Sequence, residues 1–181
     1  IENYIVMEGL NDSSLFIDAL EEEVLNTLKK WHTLDLKFWD NHHYDCTDIN
    51  NVIENLAYRN YCGWHLHELY FENLKRDIVD GSQITQHNLF RNQCMEVVDS
   101  FFSENQNTEA KYHSEGFGNI IDRIINDYIK YLHCLEIQDE RSESLKQQVE
   151  ILIQVADELQ EEVLLGQKQV IIWKRFKVQY E

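Results

Sequence analysis

Two histidines and two carboxylates lie close together in the run Asn60 to Glu72, N-Y-C-G-W-H-L-H-E-L-Y-F-E. Imidazoles and carboxylates are the side chains that shuttle protons or hold metals near neutral pH. Wound as a helix, this run puts His65, Glu68 and Glu72 on one stripe with Tyr58 and Tyr61. Leu56, Asn60, Gly63, His67, Phe71 and Leu74 fall on the opposite arc. A helix apolar around so much of its circumference reads as the central, buried one. Asn60 and His67 would then sit in the interior, where an unpaired polar group costs about 1–3 kcal/mol. They are expected either to be satisfied core residues or to line a ligand pocket.

The same stripe raises the question of a metal. Carboxylate-bridged metal bundles take E-x-x-H pairs from facing helices. Here the order is H-x-x-E, and no second helix is expected to supply a matching pair. His42 and His43 are adjacent in a turn-like segment, a weak cue for ligation. The expectation is no metal and no cofactor. Further along, Asn88, Arg91, Asn92, Met95 and Asp99 share one side of a helical pattern. Asp122, Asn126, Lys130 and His133 share one side of the next, opposite Ile121, Ile124, Ile125, Ile129 and Leu132. Periodicity alone makes that second stripe a solvated face. No G-x-S-x-G, P-loop, G-x-G-x-x-G or H-E-x-x-H occurs, so the usual hydrolase, nucleotide and zincin chemistries lack support.

The elements that must position these groups are legible in the composition. The chain has 181 residues, 43% of them hydrophobic and 12% aromatic, with no proline and six glycines. That is enough apolar material for one core, and the scarcity of breakers favours long helices. The net charge of −17 disfavours nucleic acid, whose backbone recruits Lys and Arg. It favours solubility or a basic protein partner. No apolar run reaches the ~20 residues of a membrane span. Cys46, Cys62, Cys94 and Cys134 form no C-x-x-C and read as buried free thiols in a reducing compartment, hence a cytoplasmic protein.

Taken in order, residues 1–11 form a short arm. Asp12 to Ser14 can cap a first helix to about Trp39, with Leu20, Val24, Leu28 and Trp31 at helical spacing. Thr47 or Asp48 can cap a second, to about Leu74, and Ser82 a third, to about Phe102. Ser103 to Gly118 is the longest polar loop and is expected to be the most mobile. A fourth helix spans about Asn119 to Ile137. A fifth opens near Ser142 with Leu145, Val149, Leu152, Ala156, Leu159 and Val163 in 4-3-4-3-4 spacing, a coiled-coil-like seam. Gly166 can stop it. The tail 167–181 is aromatic and basic, a short helix or a strap. With no repeats or linker, residues 1–181 read as one domain, an all-α antiparallel bundle of about five long helices over 12–166.

These motifs, in order, resemble the bacterial family catalogued as domain of unknown function 4254. That family carries W-H-x-E-D, then N-x-x-R with a later acid, then D-R followed by K-x-x-H. It closes on a glycine and a basic-aromatic tail. The corresponding residues are Trp64-His65-Leu66-His67-Glu68, then Asn88, Arg91 and Asp99, then Asp122-Arg123, Lys130 and His133. Gly166, Arg175-Phe176-Lys177 and Tyr180 match the tail. The similarity covers roughly residues 55 to 180. Two departures stand out: His67 replaces the Glu of the first motif, and Phe71 stands where an arginine is expected. The ending also lacks M-Y-N-D. The resemblance implies a structured polar role for the matched residues, and the family's genes often lie among those for cell-surface carbohydrates, an association and not a mechanism.

Two functions compete. The acidic charge, the seam and the basic tail suit a non-catalytic module that binds a protein partner or itself. Alternatively, a polar site between helices binds a small polar ligand or catalyses a reaction. His65, Glu68, Asp122 and His133 would then be the acid/base candidates, and Arg91, Arg123 and Lys130 would hold an anion. Asn60, His67, Asn88 and Asp99 would complete the binding set. The two separate on geometry: whether His65, Arg91, Asp122 and His133 converge around a cavity.

Overall fold

A chain without proline has few points at which a helix must break, and the computed structural model is built of helices. It describes residues 20–33, 49–71, 81–104 and 106–172. A π-helical turn, Leu20–Leu25, leads into α1, Asn26–Thr33. Then follow α2 (Ile49–Phe71), α3 (Gly81–Ser103), β1 (Lys111–Tyr112), α4 (Phe117–Glu136), α5 (Arg141–Leu164) and β2 (Lys168–Gln169). The all-α bundle expected from the sequence is therefore what forms. The N-terminal arm, the caps proposed at 12–14 and 47–48, His42, His43, Cys46, Glu72, Leu74 and the tail from 173 lie outside the described residues.

Contacts fix the helix directions. Leu66 packs by Ile84, and the Arg59 guanidinium stacks 4.6 Å over the Phe90 ring, so α2 and α3 run antiparallel. Arg91 meets Asp122 while Asp99 meets Gly118, so α3 and α4 are antiparallel too. Gly118 has a specific reason to be glycine: a Cβ there would collide with the Met95 carbonyl of α3. Asn60 meets Asp122 and His65 meets His133, which makes α2 and α4 run the same way.

The core lies where these helices meet. Leu28, Val52, Leu56, Ile121, Ile124, Ile125, Ala156 and Leu159 are buried in one cluster. The seam of α5 belongs to it: Val149, Ala156, Leu159 and Val163 are buried, with Leu152 packed against them. Its apolar spacing closes a hairpin within the chain, α5 folding back on α4 through a tight turn.

Both ends of α5 show how the turns are made. Gly166, at φ +68°, follows the last helical turn. Its N–H donates to Val163 O and that of Gln167 to Glu162 O, which satisfies carbonyls the helix end would leave open. The same double bond pattern ends α4, with Gln138 N–H to Leu135 O and Asp139 N–H to Cys134 O. There the left-handed position, φ 54°, is taken by Gln138 rather than glycine.

The polar loop after α3, expected to be the most mobile segment, is tied by a short strand to the residues that follow α5. Lys111 and Tyr112 pair in parallel with Lys168 and Gln169. The Gln106 amide bonds both ways to the Val170 backbone, and the Gln169 amide donates to Thr108 O and Ala110 O. Side-chain amides here supply the ladder that two residues of strand cannot. The start of the tail is thus a strand and not a helix. Cys62, Cys94 and Cys134 are buried thiols, as expected, and burial raises the Cys62 thiol to about 11.

Candidate functional site

The polar residues of α2, α3 and α4 gather in two places. In the first, Asp122 is the hub. Asn60 Nδ2 donates to its Oδ1 at 2.8 Å. Arg91 donates Nε to Oδ1 and a terminal nitrogen to Oδ2, each at 2.6 Å, a bidentate fork. Asn126 Nδ2 reaches Oδ2 at 3.3 Å. The hydrogen bonds that Arg91 donates to Asp122 raise the Arg91 pKa further, outweighing burial. Nearby, Asp99 is fully buried and accepts from the Gly118 N–H at 2.7 Å. A carboxylate at that point satisfies a backbone donor at the start of α4 and meets the helix dipole favourably. Asn60 therefore has the interior partner its position demanded. This cluster is closed: its donors and acceptors answer one another.

The second cluster lies where the C-terminal halves of α2 and α4 meet α1. The rings of His32 and His133 are 4.6 Å apart edge to face, those of His65 and His133 5.4 Å apart. Trp64 stacks on His133 at 5.2 Å. Glu68 accepts from Trp64 Nε1 at 2.9 Å and lies 3.3 Å from His65 Nδ1. Glu136 Oε2 lies 3.1 Å from His32 Nε2 and 3.9 Å from His133 Nδ1. Burial lowers the His133 pKa, and the nearby Glu68 only partly offsets it. Its Nε2 is buried with no hydrogen-bond partner among the described residues. His32 Nε2 has Glu136 close by but out of line for a hydrogen bond.

Beside this cluster runs a groove of about 490 Å³ between α2, α4 and α5. Trp64, Glu68 and His133 form one wall, and Cys134, Ile137 and Leu145 supply apolar surface. Lys130 and Arg141 bring positive charge to it. Each has an acidic neighbour: Lys130 donates to Asp127 at 2.8 Å, and Arg141 forks onto Asp139, holding that carboxyl at about 2.

Several expectations change. His67 is exposed on the outer surface of α2, stacked on the exposed Phe71, so it does not sit in the core. The apolar arc containing it leaves the core beyond Cys62. Tyr58 and Tyr61, which periodicity places on one stripe with His65 and Glu68, are buried against Trp31. The α4 stripe is not a solvated face: Asp122 is buried, and Asn126, Lys130 and His133 are partly buried. Arg123 points away and pairs with Glu115 at 2.6 Å. Asn88 is half-buried on α3 and belongs to neither cluster's bonding.

Residues 51–171 match the family described as "Protein of unknown function (DUF4254)". The chain belongs to this family. No curated protein and no solved structure matches it. In this DUF4254 chain seven of the motif residues fall in the two clusters: Arg91, Asp99 and Asp122 in the closed one, and Trp64, His65, Glu68 and His133 in the open one. His32, Glu136 and Arg141 escaped the sequence reading. A signal for the first two exists, since His133 and Glu136 repeat the H-x-x-E of His65 and Glu68 on a facing helix, and Trp31-His32 repeats Trp64-His65.

Proposed function

We propose that this protein binds a small anionic organic molecule in the groove beside Trp64 and His133. The observation that carries the reading is the groove itself. Its volume of about 490 Å³ lies within the ~300–1,000 Å³ range of small-molecule sites. It combines an apolar floor, the flat Trp64–His133 stack, and two cationic side chains. An aromatic or sugar-ring face would lie on Trp64, and a phosphate or carboxylate would meet Lys130 and Arg141. His133 and Glu68 stand in the same wall, an imidazole and a carboxylate within reach of such a ligand. Assembly through the α5 seam has less support, because that seam is buried against α4. The buried thiols fit a reducing, cytoplasmic setting.

A thermal-shift screen of phosphorylated sugars, nucleotides and organic acids, run in chelator, tests the reading. A ligand present at about 100 times its Kd should add roughly 2.7 kcal/mol of stability. The expected result is a melting-temperature rise in wild type that Trp64→Ala and Lys130→Ala abolish and Arg91→Lys retains. A flat response across the panel would count against the groove as a ligand site.

A further inference from the structure

We infer that His32, His65 and His133 bind one divalent transition-metal ion, zinc being the reference case, with Glu136 the nearest carboxylate and the groove on the open side. One ring nitrogen from each of the three histidines lies within 4.8 Å of the others. They come from three helices, α1, α2 and α4, so the convergence is tertiary and not a consequence of local spacing. Zn–N bonds of about 2.0–2.1 Å place tetrahedral nitrogen pairs roughly 3.4 Å apart. Closing the set takes a shift of about an ångström, within the reach of side-chain rotation.

Three facts favour a metal over a histidine cluster that is merely packed. The first is orphaned nitrogen: His133 Nε2 is buried without a hydrogen-bond partner among the described residues. A buried imidazole normally meets that need, and a cation would. The second is charge. Glu68 and Glu136 both face the three rings, and a divalent ion among neutral imidazoles offsets two carboxylates where protons on three touching rings would repel. The third is orientation. His65 Nδ1 is held 3.3 Å from Glu68, so Nε2 is the donor it would offer. That is the carboxylate–histidine–metal arrangement, in which the acid sets the tautomer and raises ligand basicity. Imidazole donors select zinc, copper, nickel or cobalt over magnesium and calcium.

The site goes beyond the groove reading and stands without it. His32 lies outside the groove lining, so its substitution separates the two. The full chain, freed of metal by chelator dialysis, would be titrated with Co²⁺ and Zn²⁺ by calorimetry and visible absorption. One equivalent should bind with micromolar or lower Kd. His32→Gln and His133→Gln should weaken binding at least a hundredfold. His67→Gln and the double variant His42→Gln/His43→Gln should bind as wild type does. Organic-ligand binding in the groove should survive His32→Gln. Absence of stoichiometric binding, or unchanged affinity in both cluster variants, would overturn the proposal. Should those variants fail to fold by circular dichroism, X-ray absorption on the zinc-loaded wild type decides. Three imidazoles around zinc support the site, and a sulfur-dominated or all-oxygen sphere refutes it.

Discussion

Near the start of α4, both oxygens of Asp122 are engaged, by Asn60, Arg91 and Asn126. Three turns later on the same helix, His133 has a buried nitrogen with no hydrogen-bond partner among the described residues. Both places draw on α2 and α4, and both mix charged with hydrogen-bonding groups. One is complete and the other has capacity left over. A closed network specifies how helices pack. An open one, next to a groove, is where chemistry from outside can enter. The difference sorts the family-motif residues by whether their polar groups are already satisfied within the protein.

The sharpest way to break this contrast is Asp122→Ala. It leaves Arg91 and Asn60 without their partner in a mostly dry interface and should lower unfolding free energy by about 3 kcal/mol in urea titrations. Pairing Asp122→Leu with Arg91→Met should recover much of that loss. By comparison, His65→Gln or His133→Gln in metal-free protein should change stability by less than about 1 kcal/mol. Equal losses at the two places would erase the distinction.

A smaller effect isolates a third histidine. Burial pushes His87 on α3 down to about 4 from an ordinary 6.5, with Arg59 adding to the shift. Its neutral form is favoured when folded, so the unfolded chain binds the extra proton between those values. The contribution is complete above pH 6.5 and is lost as pH falls toward 4. Melting temperatures recorded from pH 7 to 4 should fall less steeply for His87→Gln than for wild type. An identical slope would place the acid sensitivity elsewhere, the three-histidine cluster included. Smallest of all, Gln138→Gly should raise stability by about 0.5 kcal/mol, since glycine holds φ 54° without the Cβ penalty. It would do so without touching either cluster.

Much of the molecule was readable in one dimension. Proline's absence and the 3.6-residue periodicity marked α2 to α5, and Gly166 ended α5 for the reason expected of a left-handed residue. Helix pattern alone misplaced His67, because a periodic arc assumes that its neighbours cover the helix along its whole length. Around α2 they cover the first two-thirds, and His67 and Phe71 emerge. It also misjudged the α4 stripe as solvated, since polarity along one helix cannot reveal that polar partners wait on two others.

By itself, then, the sequence determined an acidic all-helical bundle, its longest elements and the residue types available for a site, because local propensity and apolar spacing act within one helix at a time. Which of those residues meet was decided only in three dimensions. Asn60, Arg91 and Asp122 close on one another, and His32, His65 and His133 gather from segments about thirty to one hundred residues apart, because helix direction and crossing, and not spacing, bring side chains from different helices within a few ångströms.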